Sequence, residues 1–137
     1  MIDFEADELL LALAAHARTL RTKARLNREA MLSGLAEARA LSHGQPLDEP
    51  AALFFAFAPR SSKFGPIGRV FVFSFAHAQA LALGYSLDMS DVELTIHEIR
   101  ILRGEIDFAE LRAWFASRLR PIGEKRPPMK RPRDTTG

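Results

Sequence analysis

The sequence predicts an all-α, single-domain bundle of about six helices, and three observations carry that prediction. Apolar residues recur three and four positions apart in segment after segment, the period of a helix with one buried face. Capping residues stand ahead of several of those segments, and glycine or proline stands behind them. A length of 137 residues, 47% apolar and 26% charged, suits one domain with a substantial core and excludes a disordered chain.

In the first helix Leu9, Leu13, His16 and Leu20 form one stripe. Asn27 is a suitable N-cap for the second, whose stripe is Met31, Leu35, Ala38 and Leu41, and His43-Gly44 offers a left-handed stop. Asp48-Glu49-Pro50 places a capping acid, a second acid and a first-turn proline ahead of a third segment, Ala51–Ala58. Pro59 to Gly68 reads as a loop, because two prolines and two glycines in ten positions oppose a helix.

Arg69–Leu83 is open at its start. Phe71, Phe73 and Phe75 alternate as in a strand, whereas Ala76–Leu83, stopped by Gly84, is strongly helical and tips the segment toward helix. Ser90 with Glu93 makes a capping box for a helix whose apolar stripe is Val92, Ile96 and Ile99, ending at Gly104. Asp107 with Glu110 makes a second box, for a helix with Phe108, Leu111, Phe115 and Leu119 on one face and Pro121 as its stop. No strand and no internal repeat is predicted.

Composition removes whole classes of function. Without cysteine there is no disulfide framework, zinc knuckle, iron–sulfur cluster or thiol nucleophile. The longest apolar runs, Leu9–Ala15 and Ala51–Ala58, fall far short of the ~20 residues of a spanning helix. Asp3, Glu5, Asp7 and Glu8 are the opposite of a basic signal-peptide start, so a soluble, cytoplasmic protein with no membrane partner is expected. Residues 1–120 carry a net −1, while residues 121–137 carry +3. That Pro-rich basic end reads as a disordered tail, able to touch nucleic acid weakly at most.

Among the histidines, His16 lies on an apolar stripe, and His77 reads as a packed or capping residue. His97-Glu98 with His77 lacks the short spacing of a metal motif, so no metal site is assigned. Phe54, Phe55, Phe57, Phe64, Phe71, Phe73 and Phe75 predict a core, with more aromatic surface than one stripe buries and hence a partner groove.

The order of signals from the loop onward carries more. A loop closing on Gly68-Arg69 precedes a hydrophobic helix ending in Leu83-Gly84-Tyr85-Ser86-Leu87. Asp88 to Glu93 follows, then a helix closing on Leu102-Arg103-Gly104-Glu105-Ile106-Asp107 and a last one with Leu111-Arg112-Ala113-Trp114-Phe115. This order resembles the Fic/Doc superfamily, in particular the small death-on-curing toxins. Asn27–Leu35 and Ala51–Ala58 resemble the helices that precede the family's motif, so the likeness runs over residues 5–119 and implies a Fic/Doc-like domain over residues 1–120.

In that family the motif loop supplies a histidine base for a target hydroxyl and an acid holding Mg²⁺ on a nucleotide. Backbone N–H groups at a helix start and an arginine bind the phosphates. Its products are proteins carrying AMP or phosphate. In this chain Ser61 or Ser62, depending on register, stands at the histidine position, and Gly65 stands at the acid position in the ungapped register. Lys63, Gly68 and Arg69 keep the phosphate-binding half, and the resemblance implies ATP and Mg²⁺ as cofactors.

A serine does not replace imidazole as a base near neutral pH. The resemblance therefore implies a catalytically degenerate protein of toxin–antitoxin type, acting by binding a protein partner, either an antitoxin or a target. Two alternatives stand beside it. One is an active transferase moving AMP or phosphate from a nucleotide to a hydroxyl of a target such as a translation factor. The other is an unrelated small helical regulatory protein.

Overall fold

A computed structural model of the chain describes residue 2 and residues 5–123. Six α-helices make up most of it: α1 (Ala6–Thr19), α2 (Arg28–Ser42), α3 (Glu49–Phe57), α4 (Gly68–Ala82), α5 (Asp91–Leu102) and α6 (Phe108–Ala116). Two short strands, β1 (Tyr85–Leu87) and β2 (Leu119–Pro121), pair antiparallel.

Helix α3 is the centre of the bundle. It is apolar all round, and such a helix is stable only when surrounded; α2, α4 and α6 pack against it. Phe54 and Phe57 are fully buried. The Phe54 ring lies 5.9 Å from Phe73 of α4 and 5.6 Å from Phe115 of α6, in the tilted geometry that aromatic quadrupoles favour. Helix α2 approaches closely at Gly34, where a Cβ would fall 2.5 Å from the Phe57 ring.

Most local signals behave as predicted. Asn27 accepts the Ala30 N–H, His43 ends α2 in the left-handed conformation, and both capping boxes form. Asp48 makes no capping hydrogen bond, however, and Glu49 is fully buried, with Oε1 accepting from Gln79 Nε2 at 2.7 Å. The opening of α4 is helical. Phe71, Phe73 and Phe75 are all buried because α4 has neighbours on several sides: α3, the segment before it and β1.

Several expectations need correction. The predicted loop after α3 is largely a 3₁₀ helix, Ala58–Phe64, with Pro59 in its first turn where no N–H is needed. Leu20 is exposed, since α1 ends at Thr19 and its buried stripe continues to Ala17 instead. Two strands exist where none was predicted. Helix α6 ends at Ala116, so Leu119 and Pro121 belong to β2, with Leu87 opposite Leu119 and Tyr85 opposite Pro121.

Hydrogen bonds from Asp88 N to Arg118 O (2.8 Å) and from Ile122 N to Gly84 O (2.9 Å) extend that ladder and tie the α5–α6 pair to the end of α4. Residues 121–123 thus belong to the folded body, and the predicted tail from 124 onward lies outside the described residues. The last correction concerns α5, whose predicted core stripe faces outward: Val92, Ile96 and Ile99 are exposed, while Leu94, His97, Glu98 and Ile101 are buried. Among the described residues no helix is long and apolar enough to cross a membrane.

Candidate functional site

The segment singled out by sequence, Ser61 to Arg69, joins the end of the 3₁₀ helix to the start of α4. Phe64 anchors it, fully buried between Phe57 and Phe71. Two backbone bonds fasten it to the linker between α1 and α2: Arg25 N to Phe64 O (2.8 Å) and Ile67 N to Lys23 O (3.3 Å). Two more close it on itself, Gly65 N to Ser62 O (3.4 Å) and Gly68 N to Gly65 O (2.9 Å). Pro66 has no N–H to offer. Gly68 is needed for close approach, because a Cβ there would lie 1.8 Å from the Ser61 carbonyl oxygen.

The charged residues of the segment diverge. Arg69 reaches toward α5, its Nε 2.7 Å from Glu98 Oε1 as a close ion pair out of hydrogen-bond alignment. The Glu98 side chain is only 1% exposed, and burial pushes its carboxyl above the usual range while the Arg69 charge opposes that rise. Lys63 instead borders an open polar hollow of about 210 Å³ with Asn27, Glu29, Ser33 and Arg60. Arg60 is held in place there by Glu37 (2.7 Å), Ser33 Oγ (3.1 Å) and the Ala56 carbonyl. Ser61 is half-buried and Ser62 exposed, with no imidazole in the segment to activate either.

The structure therefore separates Lys63 from Arg69, and it turns the Gly68 amide inward. These residues do not fit a magnesium nucleotide. The segment has no carboxylate for the metal, the Gly65, Ile67 and Gly68 amides already have acceptors, and the arginine is neutralised by a buried acid.

The histidines are dispersed too. His77 is half-buried on α4, its pKa lowered by burial against the opposing charge of Asp91. His97 is buried against α6, its ring centroid 3.8 Å from that of Trp114, with Arg118 4.7 Å over the same indole. Its pKa is lowered, by burial first and then by Arg100, with Glu93 opposing and Arg118 adding a little. Among the described residues no group of three His, Asp or Glu is placed to hold a metal ion.

Sequence reasoning assigned Glu98 no role with Arg69. The two lie twenty-nine positions apart on different helices, and only the stripe at 94, 97, 98 and 101 hinted that α5 has a second face. Two of the phenylalanines singled out, Phe71 and Phe75, border a surface hollow. Leu9, Ala12 and His16 of α1 and Phe71, Ser74, Phe75 and Ala78 of α4 line a shallow apolar groove of about 240 Å³. The other phenylalanines singled out are core, with Phe55 half-buried.

The arrangement defines a small helical domain with an internally bonded segment at the start of α4 and an apolar groove between α1 and α4. Comparison of the chain with protein-family models, with curated proteins and with solved structures finds no match.

Proposed function

We propose that this chain is a Fic/Doc-like protein of toxin–antitoxin type that lacks transfer chemistry and works by binding another protein. One observation carries the reading: in the segment from Ser61 to Arg69 the Gly65, Ile67 and Gly68 amides bond backbone carbonyls and Arg69 pairs with buried Glu98. A transferase needs those groups turned toward a nucleotide, together with a base and a metal-binding acid. The α1–α4 groove supports the binding half of the reading, because a small concave apolar surface suits the apolar face of a partner helix. The occupant proposed is the C-terminal segment of an antitoxin-like protein, encountered in the cytoplasm.

The test has two arms. In the first, the whole chain is titrated calorimetrically with ATP and GTP, with and without Mg²⁺, and the expected result is no saturable heat. Saturable nucleotide binding, with transfer of AMP or phosphate to a protein hydroxyl, overturns the reading in favour of an active transferase. In the second, a photo-crosslinking residue replaces Ala78 on the exposed groove lip in cells. A single discrete protein adduct, lost when Ser74→Arg is added, is expected. The absence of any adduct above background overturns the binding half.

A further inference from the structure

Helix α5 buries a glutamate and a histidine beside Leu94 and Ile101 and leaves an apolar row outside. Its buried face includes Glu98 and His97, while Val92, Ile96, Ile99 and Leu102 are 69%, 51%, 38% and 56% exposed. Scattered apolar residues on a surface are ordinary, but an apolar row along one side of one helix is the form of an interaction surface. The helix lies at the periphery, resting chiefly on the 3₁₀ segment Ala58–Phe64, so its outer side meets no other element of the chain that closely.

The charges on α5 are polarised along its axis. Asp91 and Glu93 occupy the first turn, Glu93 also pairing with Arg118 of its own chain at 2.9 Å, while Arg100 stands in the last turn and Arg103 at the C-cap. Arg100 and Arg103 have no ion-pair partner among the described residues. Such a helix is complementary to a copy of itself run in the opposite direction. A twofold axis near the middle of α5 brings Ile96 of one copy against Ile99 of the other, and the reverse. It lays the acidic first turn beside the basic last turn and sets the two helix dipoles head to tail. A parallel arrangement would put like charges together.

We propose that a second copy of this chain docks on the outer face of α5, forming an antiparallel, twofold α5–α5 homodimer. One helix pair buries less surface than the ~1,200–2,000 Å² of a standard stable interface, so the dimer is weak and concentration-dependent. This proposal is independent of the groove reading above, since it uses another helix and another surface.

The experiment is sedimentation velocity of the full chain across roughly 1–300 µM, a range chosen for a weak interface. A reversible monomer–dimer shift is expected. Ile96→Glu raises the dissociation constant about tenfold or more, with unchanged circular dichroism and melting because Ile96 is exposed. Arg103→Asp weakens the dimer, and Asp91→Arg added to it restores association, which separates charge pairing from misfolding. A monomer at every concentration overturns the proposal, as does a dimer indifferent to both Ile96→Glu and Arg103→Asp. A monomer that binds a different protein through Ile96 also overturns it, assigning the face to a foreign helix.

Discussion

Helices α3 and α5 differ in how much of their apolar surface they bury. In α3 eight of nine residues are buried, with Leu53, Phe54, Ala56 and Phe57 at its heart. In α5 the row Val92, Ile96, Ile99 stays outside, and a glutamate and a histidine go in. The difference teaches that burial follows from neighbours as well as from hydropathy. Helix α3 sits among apolar faces over most of its length, with Gln79 of α4 meeting its buried acid, Glu49. Helix α5 meets the Arg69 guanidinium on one flank and the Trp114 indole on another, so a carboxylate and an imidazole are the groups that fit.

That contrast breaks most visibly at its apolar end. Phe54→Ala opens a cavity between α3, α4 and α6 and is expected to destabilise by about 3–5 kcal/mol, measured by urea unfolding. The same experiment on Val92→Ala should shift stability by no more than about 0.5 kcal/mol, since Val92 lies in solvent in the free chain. If the two losses are similar, the outward placement of the α5 row is wrong.

Gly68→Ala tests the seam on which α5 rests. The new Cβ would meet the Ser61 carbonyl, which is backbone and cannot swing aside, so a loss of about 3 kcal/mol is expected. Thermal melting of this variant beside Gly84→Ala separates crowding from backbone conformation, because nothing lies within 4 Å of a Cβ at Gly84.

Removing Arg69 sharpens the comparison at its polar end. Arg69→Ala leaves the Glu98 carboxylate buried without its cation, a loss of about 1–3 kcal/mol at neutral pH, kept moderate by the half-exposure of the arginine. Glu98→Gln added to that variant should recover much of it.

The wild-type pH dependence has a definite sign. Glu98 titrates higher in the folded chain than in the unfolded one. Its contribution is therefore full below the ordinary glutamate range and is lost as pH rises through the raised value. Glu98→Gln flattens that segment of the stability curve in urea midpoints measured from pH 4 to pH 8.

The smallest effect is spectroscopic. Trp114 is the single tryptophan and packs tilted against His97, so its emission reports the imidazole charge. His97 titrates below its ordinary value of about 6.5. Its contribution to stability is full above that value and is lost as pH falls through the lowered one. A fluorescence step with a midpoint below 6.5 is expected, absent in His97→Gln. A step unchanged by that substitution assigns the titration to another group.

How much was legible follows the range of the interactions. Asn27, Ser90–Glu93 and Asp107–Glu110 were readable because a cap and its target lie within three residues of each other. The 3₁₀ helix after α3 was not, since Pro59 and Gly65 argue against an α-helix without specifying the tighter alternative. At the candidate site, the missing base and acid were visible in the residues themselves. The separation of Lys63 from Arg69 was not, because which partner each cation finds depends on Glu98 and Arg60, held on distant or differently directed elements.

The helical class, the number of helices, most of their ends and the absence of an imidazole or carboxylate between Ser61 and Arg69 are all legible in the residues alone. Those properties rest on backbone propensity, capping and residue identity, all local. Only the tertiary structure decided which face of α5 is buried, that Glu98 neutralises Arg69, and that Leu119–Pro121 returns to pair with Tyr85–Leu87. Helix periodicity defines two candidate faces on α5, and a buried charge is tolerated only where a partner from elsewhere in the chain meets it.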